Sequence, residues 1–200
     1  MMIREWIRAI LGTSTDNEAS KEADPEDLIA LGRVSVALET DMGFNPCEKA
    51  GIAFLDVQAQ DFRDSLEQVQ DIIRKQDGTK DANVERVDSK GTRWIVVEDE
   101  TVNSLTANLQ YAASGMRSVD RSARLLAAVM PFERDGEYSY LIYSFNRGKF
   151  YPFVPNGESD RDRKQEERMA GIISDEIDVE EDREYWYPMW PPKKGHHPWE

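Results

Sequence analysis

The fold is decided between residues 51 and 133, in the segments Gly51-Ile-Ala-Phe-Leu-Asp-Val57, Asp61-Phe-Arg-Asp-Ser-Leu-Glu-Gln-Val-Gln-Asp-Ile-Ile73, Val84-Glu-Arg-Val87, Arg93-Trp-Ile-Val-Val-Glu98, Thr101-Val-Asn-Ser-Leu-Thr-Ala-Asn-Leu109 and Arg124-Leu-Leu-Ala-Ala-Val-Met-Pro-Phe-Glu133. Ile52–Val57 is an apolar run of strand length. Asp61 suits a helix N-cap, and Phe62, Leu66, Val69 and Ile73 then recur on one helical face. Two strands, Val84–Val87 and Arg93–Glu98, flank Ser89-Lys90-Gly91, a hairpin turn. Thr101 caps a second helix with Val102, Leu105, Leu109, Ala112 and Met116 on its apolar face, and Arg124–Glu133 is β-competent. The order β-α-β-β-α-β predicts an α+β fold of split βαβ, ferredoxin-like type, an antiparallel sheet with two helices on one face.

Outward from this unit, Asp135-Gly136 turns the chain into Tyr138–Phe145, and Asn146-Arg147-Gly148 turns it again into Lys149–Val154, so a C-terminal hairpin extends the sheet. Arg161–Ile177 reads as a charged surface helix with a thin stripe of Met169, Ile172, Ile173 and Ile177. Tyr185–Trp190 is an aromatic cluster, and residues 191–200 read as a mobile tail. Upstream, Asp24-Pro25-Glu26-Asp27 carries the signals of a helix start, and Leu28, Leu31, Val34, Leu38 and Met42 follow the helical period to Gly43. Residues 13–24 read as a flexible linker. Residues 1–12 read as an amphipathic helix with Ile3, Trp6, Ile7, Ile10 and Leu11 on one side. A single α+β domain over 25–190 is the expectation.

At 200 residues and 40% hydrophobic composition, the chain can bury about 70% of its unfolded surface, which excludes a disordered or low-complexity protein. The formal net charge of −14 removes the electrostatic term on which nucleic-acid binding rests. Its 25 basic residues are 16 Arg and 9 Lys, a Lys-poor balance that suits either a salt-rich cytoplasm or ordinary acidity. Cys47 is the sole cysteine, so no intrachain disulfide forms, and a cytoplasmic location is expected. The longest apolar run, Leu125–Met130, is far short of a membrane span. Arg4, Glu5 and Arg8 interrupt the N-terminal stretch, which is not expected to be cleaved as a signal peptide.

Chemistry-bearing motifs are sparse. His196 and His197 fall in the expected tail, away from further metal ligands. Cys47 lacks a neighbouring base, and the acidic pairs Asp160/Asp162, Glu166/Glu167 and Glu180–Asp182 read as solvated charge. Neither GxxxxGK[ST] nor GxGxxG occurs. Catalytic residues, cofactor and metal are therefore all expected to be none. Aromatic residues stand out instead: Tyr138, Tyr140, Tyr143, Phe145, Phe150, Tyr151 and Phe153 crowd the hairpin, either as core and cross-strand pairs or as exposed anchors. Trp6, Ile7 and Ile10 could enter a partner groove or lie at a membrane surface.

Two stretches carry a resemblance, Tyr140-Leu-Ile-Tyr-Ser-Phe-Asn-Arg-Gly-Lys-Phe-Tyr-Pro-Phe-Val-Pro155 and Arg183-Glu-Tyr-Trp-Tyr-Pro-Met-Trp190. They resemble the PspA-associated PspAB family, with its pattern YxxKRGxFYPFxP before a charged helix and an RWYPxW-like end. Asn146 stands where the family commonly has Lys, and Tyr185 is an extra residue. Trp94-Ile-Val-Val97, before a helix with Asn103 and Leu105, adds to the likeness, which spans most of Leu28–Trp190. The resemblance implies membrane-stress response or quality control, with a partner such as the HtpX membrane protease or a PspA-like protein, and no established catalysis. The expectation is a non-enzymatic cytoplasmic adaptor or regulator, peripheral at the inner face of the membrane. Its candidate partner-binding residues are Trp6, Ile7, Ile10, Arg147, Gly148, Tyr151, Phe153, Trp186, Tyr187 and Trp190. The alternatives are a small-molecule sensor or ligand-binding domain and, third, a hydrolase with a dispersed carboxylate site.

Overall fold

A computed structural model describes residues 23–55, 67–68, 71, 75, 79–87, 92–119 and 125–200 of the chain. The carboxylate of Asp24 accepts the Glu26 N–H at 3.0 Å, and Pro25 opens a 3-10 turn, Pro25–Ala30, that continues into helix α1, Leu31–Met42. Gly43 ends α1 at φ 70°, a left-handed conformation that glycine reaches without a Cβ clash. Strands β1 (Asn45–Pro46), β2 (Lys49–Phe54), β3 (Thr79–Val87) and β4 (Arg93–Asp99) follow. Next come helix α2 (Val102–Val119) and strands β5 (Leu125–Arg134), β6 (Glu137–Ser144) and β7 (Lys149–Phe153). A small hairpin, β8 (Pro155–Asn156) and β9 (Asp160–Arg161), leads to α3 (Arg163–Ile173) and a last 3-10 turn, Arg183–Tyr185.

Among the described residues β1–β7 form one sheet in the order β3-β4-β2-β5-β6-β7, with β1 paired to β5, β8 and β9 pair with each other alone, and every ladder is antiparallel. The α+β class holds. The helix expected over Asp61–Ile73 lies outside the described residues save Glu67, Gln68 and Asp71, which are helical and exposed. The amphipathic stretch 1–12, the linker up to residue 22 and the turn at Ser89-Lys90-Gly91 also lie outside them.

Both faces of the sheet are covered, and strand alternation sorts the side chains between them. One face packs under the helices. Ile52 and Phe54 of β2, Ile95 and Val97 of β4, Met130 and Phe132 of β5 and Tyr143 of β6 share a core with Val34 and Leu38 of α1, Leu105 and Leu109 of α2, and Met169 and Ile173 of α3. Met169 and Ile173 of the thin apolar stripe are buried while Arg163, Lys164, Glu167 and Arg168 stay exposed, as read for a charged surface helix. The helix is shorter than expected, because Asp162 caps it by accepting the Gln165 N–H at 3.0 Å while Arg161 is held in β9.

Polar ties fix the helices. The Arg134 guanidinium donates to the Met42 carbonyl (3.1 Å) and to Gln165 Oε1 (2.8 Å) and lies over the Phe44 ring, so one side chain links α1, β5 and α3. Tyr143 donates to Asp27 Oδ2 and accepts the Asp24 N–H, both at 3.0 Å, which anchors the start of the helical layer to β6.

Candidate functional site

The hairpin β6–β7 is closed by residues that sequence reasoning singled out. Gly148 adopts φ 65° in the turn and donates its N–H to the Ser144 carbonyl at 2.8 Å. Arg147 places Nε 2.8 Å from Glu180 Oε2, with its guanidinium carbon 3.8 Å from the centre of the Tyr185 ring. Phe150 then pairs with the segment beyond α3, its N–H donating to Asp178 O and its carbonyl accepting the Glu180 N–H, each at 2.8 Å. These contacts close the β7 edge, and Arg147 and Gly148 serve the turn and its anchor.

Tyr151 and Phe153 point to the face opposite the helices, in register with Ile142 and Tyr140. Both are buried, so of the two readings of the hairpin rings the structure takes core and cross-strand pairing at these positions. The reason is the C-terminal segment, residues 186–200, which crosses this face. Trp186 is buried with its indole N–H donated to the Glu180 carbonyl at 2.8 Å, and Trp190 sets its ring perpendicular to Phe153 at 4.9 Å. Tyr187 and Trp190 are half-buried. The two stretches that carry the family resemblance are thus each other's packing partners. Trp6, Ile7 and Ile10 lie outside the described residues.

The far end of the segment read as a mobile tail, His196–Trp199, is packed. Trp199 is 2% exposed and meets Trp94 edge-on, with ring centres 5.8 Å apart. A Cβ on Gly51 would fall 2.8 Å from the Trp199 ring, so the strand needs glycine there to admit it. His197 lies against Tyr138 (4.5 Å) and its own neighbour Trp199 (4.8 Å). Sequence reasoning missed Gly51, Trp94, Tyr140, His197 and Trp199 as one cluster. The signal lay in His197-Pro-Trp199, a large apolar ring in an otherwise polar stretch.

Three donors from the sheet side grip carbonyls of this segment: Arg161 Nη1 on Trp186 O (2.7 Å), the Tyr151 hydroxyl on Tyr187 O (3.1 Å) and the Tyr140 hydroxyl on His196 O (3.2 Å). Arg161 is itself held by Glu166, with Nε 2.8 and 2.9 Å from the two carboxylate oxygens, while Glu166 also accepts the Val154 N–H at 2.9 Å. Burial pushes the Glu166 carboxyl up, against the opposing pull of Arg161 and the Val154 N–H.

The groups with most chemical potential are engaged or quenched. Burial, with Glu133 adding to it, raises the Cys47 thiol to about 12, so its reactive thiolate is suppressed. Burial lowers His197 to about 4, and its Nδ1 is buried without a hydrogen-bond partner. Of the acidic runs, Asp162 caps α3, Asp182 caps the 3-10 turn Arg183–Tyr185, and Glu166 and Glu180 pair with arginines. Among the described residues, no group of three or more His, Cys, Asp or Glu is placed to hold a metal ion, and no helix is long and apolar enough to cross a membrane. Among the described residues, the large apolar side chains left most exposed are Val36 (63%), Ile29 (54%) and Tyr111 (45%), all on helical elements.

A family model described as PspA associated protein B matches residues 4–199. No curated protein and no solved structure matches the chain.

Proposed function

We propose, from the premise that the chain belongs to the PspA associated protein B family, that it is a non-enzymatic adaptor or regulator whose partner is a PspA-like protein at the membrane. The observation that carries this reading is the extent of the match, residues 4–199, which takes in the helical layer, the sheet and the C-terminal segment together. The named association therefore attaches to the whole architecture and not to a shared fragment. The state of the titratable groups favours an adaptor over a hydrolase. Catalytic acids, bases and nucleophiles are tuned toward the working pH and left free for substrate, whereas the Cys47 thiol and the His197 imidazole are moved away from it, and Glu166, whose carboxyl burial pushes up, is taken by Arg161 and the Val154 N–H.

The protein acts, in this reading, on the cytoplasmic side of the membrane in a stress or quality-control response. An HtpX-like protease is the second partner to test. The test is direct binding of the purified full chain to a purified PspA-like protein, read by size-exclusion chromatography with light scattering, with an HtpX-like protease run in parallel. A complex with the PspA-like protein at micromolar affinity or tighter is expected. A correctly folded chain that binds neither would overturn the proposal, and binding to the protease alone would replace the named partner.

A further inference from the structure

The C-terminal segment is held unlike the rest of the core. Main-chain pairing to the sheet reaches only as far as Val179 and Glu180, at the β7 edge. Past the short turn Arg183–Tyr185, residues 186–200 are neither helix nor strand. Four of the chain's nine prolines, Pro188, Pro191, Pro192 and Pro198, fall in these fifteen residues. The sheet holds them with hydroxyl and guanidinium donors on main-chain carbonyls and with aromatic rings on aromatic rings. Proline supplies no N–H and restricts the free chain, so a proline-punctuated segment loses little entropy on docking and is recognised through its carbonyls and flanking rings. Grooves that bind proline-rich peptides use the same combination, an aromatic floor with donors aimed at carbonyl oxygens.

We infer that the sheet face opposite the helices is a recognition surface for a proline-punctuated segment with tryptophan anchors, which the chain's own C-terminus fills in cis. The surface consists of the Trp94, Tyr140, Tyr151 and Phe153 rings, the Arg161 guanidinium and the slot over Gly51. Its ligand in trans is a segment of the same chemistry, and the covering segment excludes that ligand until it is displaced. This goes beyond the family reading, because the surface is probed with the chain's own peptide and without a PspA-like protein.

The experiment mixes a fluorescein-labelled peptide of residues 185–200 with the full-length chain and follows fluorescence anisotropy. Wild type and Trp199→Ala are compared, the variant having lost the anchor that seats its own segment. The peptide is expected to bind Trp199→Ala at least 30-fold more tightly than wild type. Adding Gly51→Ala, whose Cβ fills the slot, reduces that binding at least tenfold, and a scrambled peptide does not bind. Should Trp199→Ala fail to fold by far-UV circular dichroism, Pro191→Gly with Pro192→Gly loosens the cover without touching the surface and takes its place. Absence of binding to a folded, loosened variant, or equal binding of the scrambled peptide, would overturn the inference.

Discussion

The same sheet is covered on its two faces by different kinds of structure. On one face, three helices lay down leucine, isoleucine, valine and methionine at regular spacing, and Arg134 and Tyr143 pin them to the strands. On the other, a segment without regular secondary structure places Trp186, Met189 and Trp199 among the rings of Trp94, Tyr140, Tyr151 and Phe153. The first cover carries its own internal hydrogen bonds, and most of its stability comes from burying an apolar stripe. The second carries few, and depends on individual anchors and on donors supplied by the sheet. Losing one contact should therefore propagate differently on the two sides: on the helical face as a change in global stability, on the other as local opening.

The largest difference is expected from Phe132→Ala, which empties a fully buried site under the helices. It should cost about 3–5 kcal/mol of global stability, read as a lower denaturant midpoint for helix and sheet together. Acid should come next, acting on the other face through His197. His197 packs between the rings of Tyr138, Tyr140 and Trp199, with Lys49, His196 and Glu200 as its charged or titratable neighbours. Burial is the main cause that lowers it from 6.5 to about 4, so the docked segment favours the neutral ring. Docking is thus unaffected above pH 6.5 and weakens as the pH falls from there toward 4, by about 2 kcal/mol at pH 5. Amide exchange across this range should show the dependence in wild type and lose it in His197→Phe.

Tyr140→Phe is a smaller test of the same side. It removes the hydroxyl that donates to His196 O and should favour opening of the segment by about 1 kcal/mol, leaving the midpoint of the helical face in place. If that midpoint shifted by the same amount, the two faces would be one cooperative unit. The smallest effect belongs to Arg33→Ala, since the Arg33–Glu176 pair at 3.1 Å is solvent-exposed on both sides. Thermal melts of this variant should stay within about 0.5 kcal/mol of wild type.

The same contrast explains what the sequence made legible. Leu105, Leu109, Ala112 and Met116 repeat at helical spacing, and Asp24-Pro25 and Thr101 carry capping chemistry, so the helical layer could be read before any coordinates. Asp135-Gly136 placed the β5–β6 hairpin by the same logic, both residues having positive φ. The cover of the second face has no period. Its prolines and polar Lys193-Lys194-Gly195 suggest a tail, and Trp199 is held by Gly51, remote from it in sequence. Whether Tyr151 and Phe153 were core or exposed anchors consequently stayed open in the sequence, and they are the floor beneath that cover. Arg161 and Glu166 were likewise indistinguishable from the surrounding charge, because their pairing depends on β9 bringing the arginine to the first turn of the helix.

The central claim is that the helical cover is permanent core while residues 186–200 form a cover that opens on its own. Native-state hydrogen exchange at neutral pH tests it most directly, comparing the amides of His196 and Glu200, both hydrogen-bonded within the segment, with those of Val129 and Ile142 in the sheet. The account predicts that His196 and Glu200 exchange through an opening at least about 2 kcal/mol easier than the one that exposes Val129 and Ile142. Equal opening free energies at all four amides, tracking global unfolding, would contradict it.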